Sequence, residues 1–114
     1  MSSEIKKTSE IQVNVSLNEN NVPLKMKWSA SDGNVSDAPT KAMFLALWDE
    51  KEKQTLKIDL WTDEMTVSEM KQFFHQTLLT MADTFEKATG ETLISEDLRD
   101  YCYHFAEKMD ILPE

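Results

Sequence analysis

The chain has 114 residues, of which 40% are hydrophobic and 29% are charged, a composition typical of an ordinary soluble globular protein. Its net charge of −9 disfavours nucleic acids and anionic membranes as partners, because both require a cationic binding surface. A single cysteine, Cys102, excludes a disulfide framework and favours a reducing compartment.

The first residues, MSSEIKKTSE, are polar and mixed in charge, so residues 1–9 are predicted to be a flexible tail. They have no apolar core and do not resemble a signal peptide. No apolar run approaches the roughly 20 residues of a transmembrane helix. We therefore expect a cytoplasmic protein with one α+β domain over residues 10–112 and no transmembrane segment.

Two alternating runs predict an antiparallel hairpin near the N-terminus. In IQVNVSL, Ile11, Val13, Val15 and Leu17 fall on one face, and polar residues fall on the other. The run VPLKMKWSA resumes this alternation after the turn residues NENN. Residues 31–39, SDGNVSDAP, are rich in glycine, proline and short polar residues and are predicted to be a loop.

A second hairpin is predicted from TKAMFLALW, the charged turn DEKEKQ and TLKIDLW. The first of these runs is apolar on both faces, so periodicity alone leaves residues 41–48 open between a strand and a short helix. The alternation of the following run favours a strand, which would be central in the sheet or covered by a second subunit.

The helical signals lie in the last third of the chain. Thr66 and Glu69 have the spacing of a capping box, and Gly90 fits a left-handed C-cap, so a helix is predicted between these residues. Ser95 is the predicted N-cap of a second amphipathic helix that Pro113 terminates. The resulting order is ββββαα, an α+β fold with a four-stranded antiparallel sheet, made of two hairpins, on which both helices pack.

The first predicted helix has more apolar residues than one stripe can hold. Phe73 and Leu79 lie on opposite sides of the stripe that contains Phe74, Leu78 and Phe85. One of the two is expected to pack on the second helix, and the other to be exposed or covered by another molecule. Phe73 and Leu79 are thus candidate partner-surface residues, together with Trp61, Trp48 and Met43, since large apolar and aromatic side chains are common interface anchors.

No pattern indicates catalysis. His75 and His104 lie on different predicted helices, and Cys102 falls on the apolar face of the second one, where a small core residue is expected. The acidic pairs lack the ligand spacing of a calcium loop. We therefore expect a non-enzymatic protein without a metal or another cofactor. Residues 59–114 carry all of the net negative charge, which either solubilises the protein or meets a basic partner.

One resemblance covers most of the chain. Residues 40–65, TKAMFLALWDEKEKQTLKIDLWTDEM, and residues 69–91, EMKQFFHQTLLTMADTFEKATGE, resemble the gliding motility-associated GldC family. The resemblance implies a small accessory or adaptor protein of bacterial gliding, in the cytoplasm or at the inner face of the envelope. Its partners would be proteins of the gliding or secretion machinery, with a homo-oligomer as a further possibility. It transfers no catalytic residues.

The predicted order of four strands and two helices, with strong acidity, is also similar in architecture to the export chaperone SecB. No shared motif supports this second likeness, and a fold does not establish a function. It nevertheless provides an alternative hypothesis, a chaperone that holds secreted or envelope proteins.

Overall fold

A computed structural model describes residues 3–111, which form two compact units, one ending at Met65 and the other beginning at Thr66. We call them the strand unit and the helix unit. The strand unit contains β1 (Ile11–Leu17), β2 (Pro23–Ala30), β3 (Val35–Thr40), β4 (Ala42–Asp49) and β5 (Gln54–Trp61), and the helix unit contains α1 (Val67–Thr89) and α2 (Thr92–Lys108).

The α+β class is confirmed, but the predicted single four-stranded sheet is wrong. Five strands form two antiparallel sheets, one with the order β1-β2-β3 and one with β4-β5. The unpredicted strand is β3, which lies in the segment expected to be a loop. Pro39 is tolerated there because β3 forms the edge of its sheet. The prediction that the helices pack on the sheet stays a prediction.

The turn between β1 and β2 follows from its asparagines. The side-chain Oδ1 of Asn18 accepts hydrogen bonds from the backbone N–H groups of Asn20 and Val22, at 2.8 and 3.1 Å. Asn21 adopts a positive φ of 61°, which asparagine tolerates better than most residues. The turn sets a register in which Val13 faces Trp28 and Val15 faces Met26. Directly opposed residues share a face, so the predicted alternation is confirmed.

Residues 41–48, left open between strand and helix, belong mostly to β4. Its pairing with β5 is regular and places Met43 opposite Leu60 and Leu45 opposite Ile58. Only Lys41 separates β3 from β4. Where β5 ends, the N–H of Thr62 donates to the carbonyl oxygen of Lys41 at 2.8 Å, and the N–H of Asp63 donates to that of Pro23 at 3.3 Å. These bonds tie the end of β5 to the other strands of the unit.

Both predicted ends of α1 are confirmed. The Oγ1 atom of Thr66 accepts a hydrogen bond from the N–H of Glu69 at 3.0 Å, and the carboxylate of Glu69 accepts one from the N–H of Thr66, also at 3.0 Å. Gly90 has a φ of 75°, and its N–H donates to the carbonyl oxygen of Glu86. The capping box and the left-handed glycine therefore fix the length of this helix.

Helix α2 begins at Thr92, and its N-cap is Glu91, four residues before the predicted N-cap Ser95. Ser95 is not the N-cap, because its hydroxyl donates to the carbonyl oxygen of Glu91 at 2.7 Å and its side chain is buried. A serine hydroxyl that bonds the carbonyl four residues earlier fits inside a helix as well as at its cap. The predicted stop at Pro113 lies outside the described residues.

The helices contact each other through one side of each. His75 stacks on Phe105, with ring centroids 6.4 Å apart, and Arg99 reaches Glu86 and Asp83. Ala82 lies on the same side of α1 as His75 and Glu86 and is fully buried. The predicted apolar stripe of α1 stays partly accessible, since Phe74 is 44% exposed and Phe85 is 40% exposed.

Candidate protein-interaction surface

An apolar concavity lies in the strand unit, where both sheets contribute to it. This cleft has a volume of about 750 Å³. Ile11, Val13, Trp28 and Thr40 line it from the three-stranded sheet, and Ala42, Met43, Phe44, Leu45, Leu47 and Ile58 line it from the β4-β5 hairpin. The polar side-chain groups of this lining are the indole N–H of Trp28 and the Thr40 hydroxyl, which donates to the carbonyl oxygen of Ala42 at 3.1 Å. We call this surface the strand cleft.

The strand cleft forms because each of the two sheets has a face with several apolar side chains. Alternate residues of a strand point to opposite sides, so β1 places Ile11 and Val13 on one face and β4 places Met43, Leu45 and Leu47 on one face. Many of these side chains stay accessible, since Ile11 is 76% exposed and Leu47 is 53% exposed. Single exposed apolar residues are common on protein surfaces, but a contiguous set around a concavity marks an interaction site.

The opposite face of the β4-β5 hairpin is mixed in character. The ammonium group of Lys57 lies 5.5 Å from the centre of the Phe44 ring and 3.2 Å from a carboxylate oxygen of Asp59. Trp48 and Trp61 lie on this face and are 67% and 54% exposed. Both tryptophans are accessible to a partner. The charged groups of Lys57 and Asp59 lie between them, and protein interfaces often have such polar groups at their rim.

The five predicted partner-surface residues are not brought together. Met43 lines the strand cleft, whereas Trp48 and Trp61 lie on the other face of the same hairpin. Trp61 also borders a smaller cleft of about 280 Å³. Phe73 and Leu79 belong to α1, and each is partly buried. Helical geometry places Leu79 on the α2-facing side, near Ala82, and Phe73 away from it. Their role in partner binding stays a prediction.

The helix unit has an apolar patch of its own. Val67, Met70, Phe74 and Phe105 border a concavity of about 350 Å³, with Lys71 at its edge. On the same unit, the guanidinium of Arg99 bonds Glu86 and Glu96 at 2.6 Å and Asp83 at 2.8 Å. This hydrogen bonding holds the pKa of Glu86 below its ordinary value and raises that of Arg99. The cluster joins the two helices and is structural.

The titratable groups of the helix unit include a buried thiol, that of Cys102, and a buried imidazole nitrogen, that of His75. Burial raises the pKa of the Cys102 thiol, which keeps it in its unreactive, protonated form. The Nε2 atom of His75 is buried without a hydrogen-bond partner among the described residues. In residues 3–111, no three His, Cys, Asp or Glu side chains are placed to hold a metal ion. Neither described helix is long and apolar enough to cross a membrane.

Sequence reasoning missed the contribution of the three-stranded sheet to the strand cleft. Ile11 and Val13 fall on the predicted apolar face of the first hairpin, and Val13 is expected to be covered by the first helix, whereas both line the accessible cleft. The run of residues 42–47 could have indicated this contribution, because it is apolar on both faces and predicts apolar neighbours on two sides. That signal pointed to Met43 but did not identify the opposite wall.

Comparisons with known proteins agree with the motifs of the chain. The family model described as "Gliding motility-associated protein GldC-like" matches residues 23–111. No curated protein and no solved structure matches the chain. The match begins at β2 and continues through α2, so it includes strands from both sheets and both helices. The chain therefore belongs to the GldC-like family of gliding motility-associated proteins.

Proposed function

We propose that the protein is a non-enzymatic accessory or adaptor protein of bacterial gliding motility that acts through protein-protein contacts. The observation that carries this proposal is the strand cleft, an accessible concavity whose side chains are almost entirely apolar. Such a surface gains free energy by removing apolar area from water when a protein partner covers it. It lacks the convergent ionisable groups that an enzyme requires.

The proposed partner is a protein of the gliding or secretion machinery, and the proposed location is the cytoplasm or the inner face of the envelope. Family membership supports the link to gliding. The chemistry of the cleft supports a partner that inserts apolar side chains. The net charge of −9 supports a protein partner over a nucleic acid.

The test replaces Leu47, which lines the strand cleft and is 53% exposed, by aspartate. Leu47→Asp should abolish capture of the partner from a gliding bacterium and reduce colony spreading, because the carboxylate would be desolvated only in the complex. The thermal midpoint of unfolding should change little. Capture is measured by affinity purification and mass spectrometry, and gliding by complementation of a deletion strain.

Ala46→Asp is the matched control. Ala46 is exposed, precedes Leu47 and points to the other face, where it lies opposite Lys57. The same charge is thus added one residue away, outside the cleft. Equal capture by Leu47→Asp and the unchanged chain would contradict a role of the cleft. Loss of capture with Ala46→Asp alone would place the partner on the face of Trp48 and Trp61.

A chaperone similar to SecB is the second candidate, and the same cleft favours it, because extended apolar segments of unfolded proteins need an accessible apolar groove. A chaperone would suppress the aggregation of several unrelated unfolded proteins in a light-scattering assay. An adaptor would leave aggregation unchanged and would enrich one folded partner. Light scattering of two unrelated aggregating proteins, with and without the purified chain, therefore distinguishes a chaperone from an adaptor.

A further inference from the structure

The backbone hydrogen bonds of β1 show which of its groups face outward. At its start, the N–H of Ser31 donates to the carbonyl oxygen of Glu10 at 3.0 Å, and the N–H of Asn18 donates to Val22 at the other end. Bonded and non-bonded positions alternate in an antiparallel pair. The even-numbered residues therefore bond to β2. The N–H and C=O groups of Ile11, Val13, Val15 and Leu17 point away from it.

No strand among the described residues pairs with this outer edge, since β1 is terminal in the order β1-β2-β3. The opposite edge of the same sheet is protected. Pro39 of β3 has no N–H, Asp37 has a positive φ of 51°, and the N–H of Asp37 donates to the Oγ of Ser29 at 3.0 Å. Prolines and bulges are the usual protection of edge strands. β1 has no proline, glycine or charged residue, so one edge is open and the other is closed.

A second copy of β1 is the partner that this edge fits. Two identical edges pair antiparallel about a two-fold axis, and such a contact covers both β1 edges, leaving only the protected β3 edges at the ends of the sheet. An axis next to Asn14 places Ile11 opposite Leu17 of the second copy and Val13 opposite Val15 of the second copy. Every outward-facing residue then belongs to a hydrogen-bonded pair, which gives about eight hydrogen bonds.

The same register matches the side chains. On the apolar face, Ile11 and Val13 meet aliphatic residues, and on the polar face Gln12 meets Ser16 and Asn14 meets its own symmetry mate. No charge opposes a like charge, which would destabilise the pair. Ile11 is 76% exposed in the single chain and gains cover in this arrangement.

We propose that two copies of this chain form a dimer through β1, which joins their three-stranded sheets into one continuous antiparallel sheet. Ile11 and Val13 also line the strand cleft, so the clefts of the two copies adjoin at the axis. The dimer does not depend on the proposed role in gliding and is tested on purified full-length chain alone.

The first experiment is a disulfide cross-link at the axis. Asn14 lies in a non-hydrogen-bonded pair with its symmetry mate, where Cα atoms are about 4.5 Å apart, within the range that a disulfide bridges. Asn14→Cys should form a covalent dimer on mild oxidation. The matched control is Lys27→Cys, on the same polar face but one strand further in, about 14 Å from its mate. Cys102 is buried and present in both variants.

The second experiment removes one outward donor. Val13→Pro deletes an N–H that does not bond to β2, so the fold should persist while the sedimentation mass falls to that of a monomer. Val13→Ala keeps the N–H and should remain a dimer. A wild-type chain that sediments as a monomer at micromolar concentration overturns the proposal. The proposal is also overturned if Asn14→Cys forms no more covalent dimer than Lys27→Cys. The cross-linking result does not depend on whether Val13→Pro folds.

Discussion

Thr66 controls the start of the longest helix through two reciprocal hydrogen bonds with Glu69. Thr66→Ala removes the acceptor for an N–H that has no partner within the helix. We expect a loss of about 0.5–2 kcal/mol in the free energy of unfolding, measured by denaturant titration. Thr66→Ser keeps the oxygen and should retain most of the stability. Equal losses in the two variants would show that the methyl group, and not the cap, matters.

Glu86 makes stability depend on pH, because Arg99 lowers the pKa of its carboxyl group below the ordinary 4.5. A lowered folded-state pKa gives stabilisation that is present above the unfolded value and is lost as the pH falls through the folded value. The wild type should therefore be more stable than Glu86→Gln near neutral pH, and this advantage should shrink as the pH falls below about 4.5.

Unfolding midpoints of wild type and Glu86→Gln between about pH 3 and pH 7 measure this advantage. Glu107→Gln, an exposed glutamate on the last turn of α2, is the control. A stability difference between wild type and Glu86→Gln that is constant over the whole range would contradict the role assigned to Arg99.

Among the elements, those with a strict period or a cap were predictable. The alternation of β1 and β2 and the capping box of α1 correspond to local rules, and the structure confirms them. β3 could not be predicted, because Asp37 and Pro39 are typical of loops and only its edge position permits a strand. The side of α1 that meets α2 was also not predictable, because it is marked by Ala82 and His75 and not by the large apolar residues.

The close contact between α1 and α2 depends on small residues. Ala82 and Ala106 are completely buried in the helix unit. Ala106→Leu inserts three further carbons where no space exists, and we expect a destabilisation of about 1–3 kcal/mol. Ala88→Leu, at an exposed position of α1, is the control and should stay within about 0.5 kcal/mol of wild type. A neutral Ala106→Leu would mean that the helices separate readily.

For the whole molecule, the sequence indicated the kind of surface but not its location. Apolar residues in excess of one core predict a partner. Met43, in the run with two apolar faces, lines the strand cleft, and its role in partner binding stays a prediction. The cleft itself depends on how β3 and β4 bend at Lys41 and which strands pair. Such long-range pairing leaves no local signal in a single sequence. The resemblance carried by residues 40–65 and 69–91 identified the family independently of these errors.

The single-residue connection at Lys41 has a consequence for motion within the strand unit. Only this residue joins β3 to β4, so changes in its two backbone dihedral angles alter the width of the strand cleft. Widening would strain the bonds from Thr62 to Lys41 and from Asp63 to Pro23. The exchange rate of these two amide protons with solvent deuterium would then report local opening without global unfolding.

Lys41→Gly should therefore accelerate amide exchange at Thr62 and Asp63, because glycine frees the connecting backbone. Lys53→Gly is the matched control, since Lys53 already has a positive φ of 55°, which glycine adopts without strain. Exchange measured by NMR should rise only in the first variant. If so, the cleft opens and closes on its own timescale, and the rate at which a partner can enter is limited by one residue outside the contact surface.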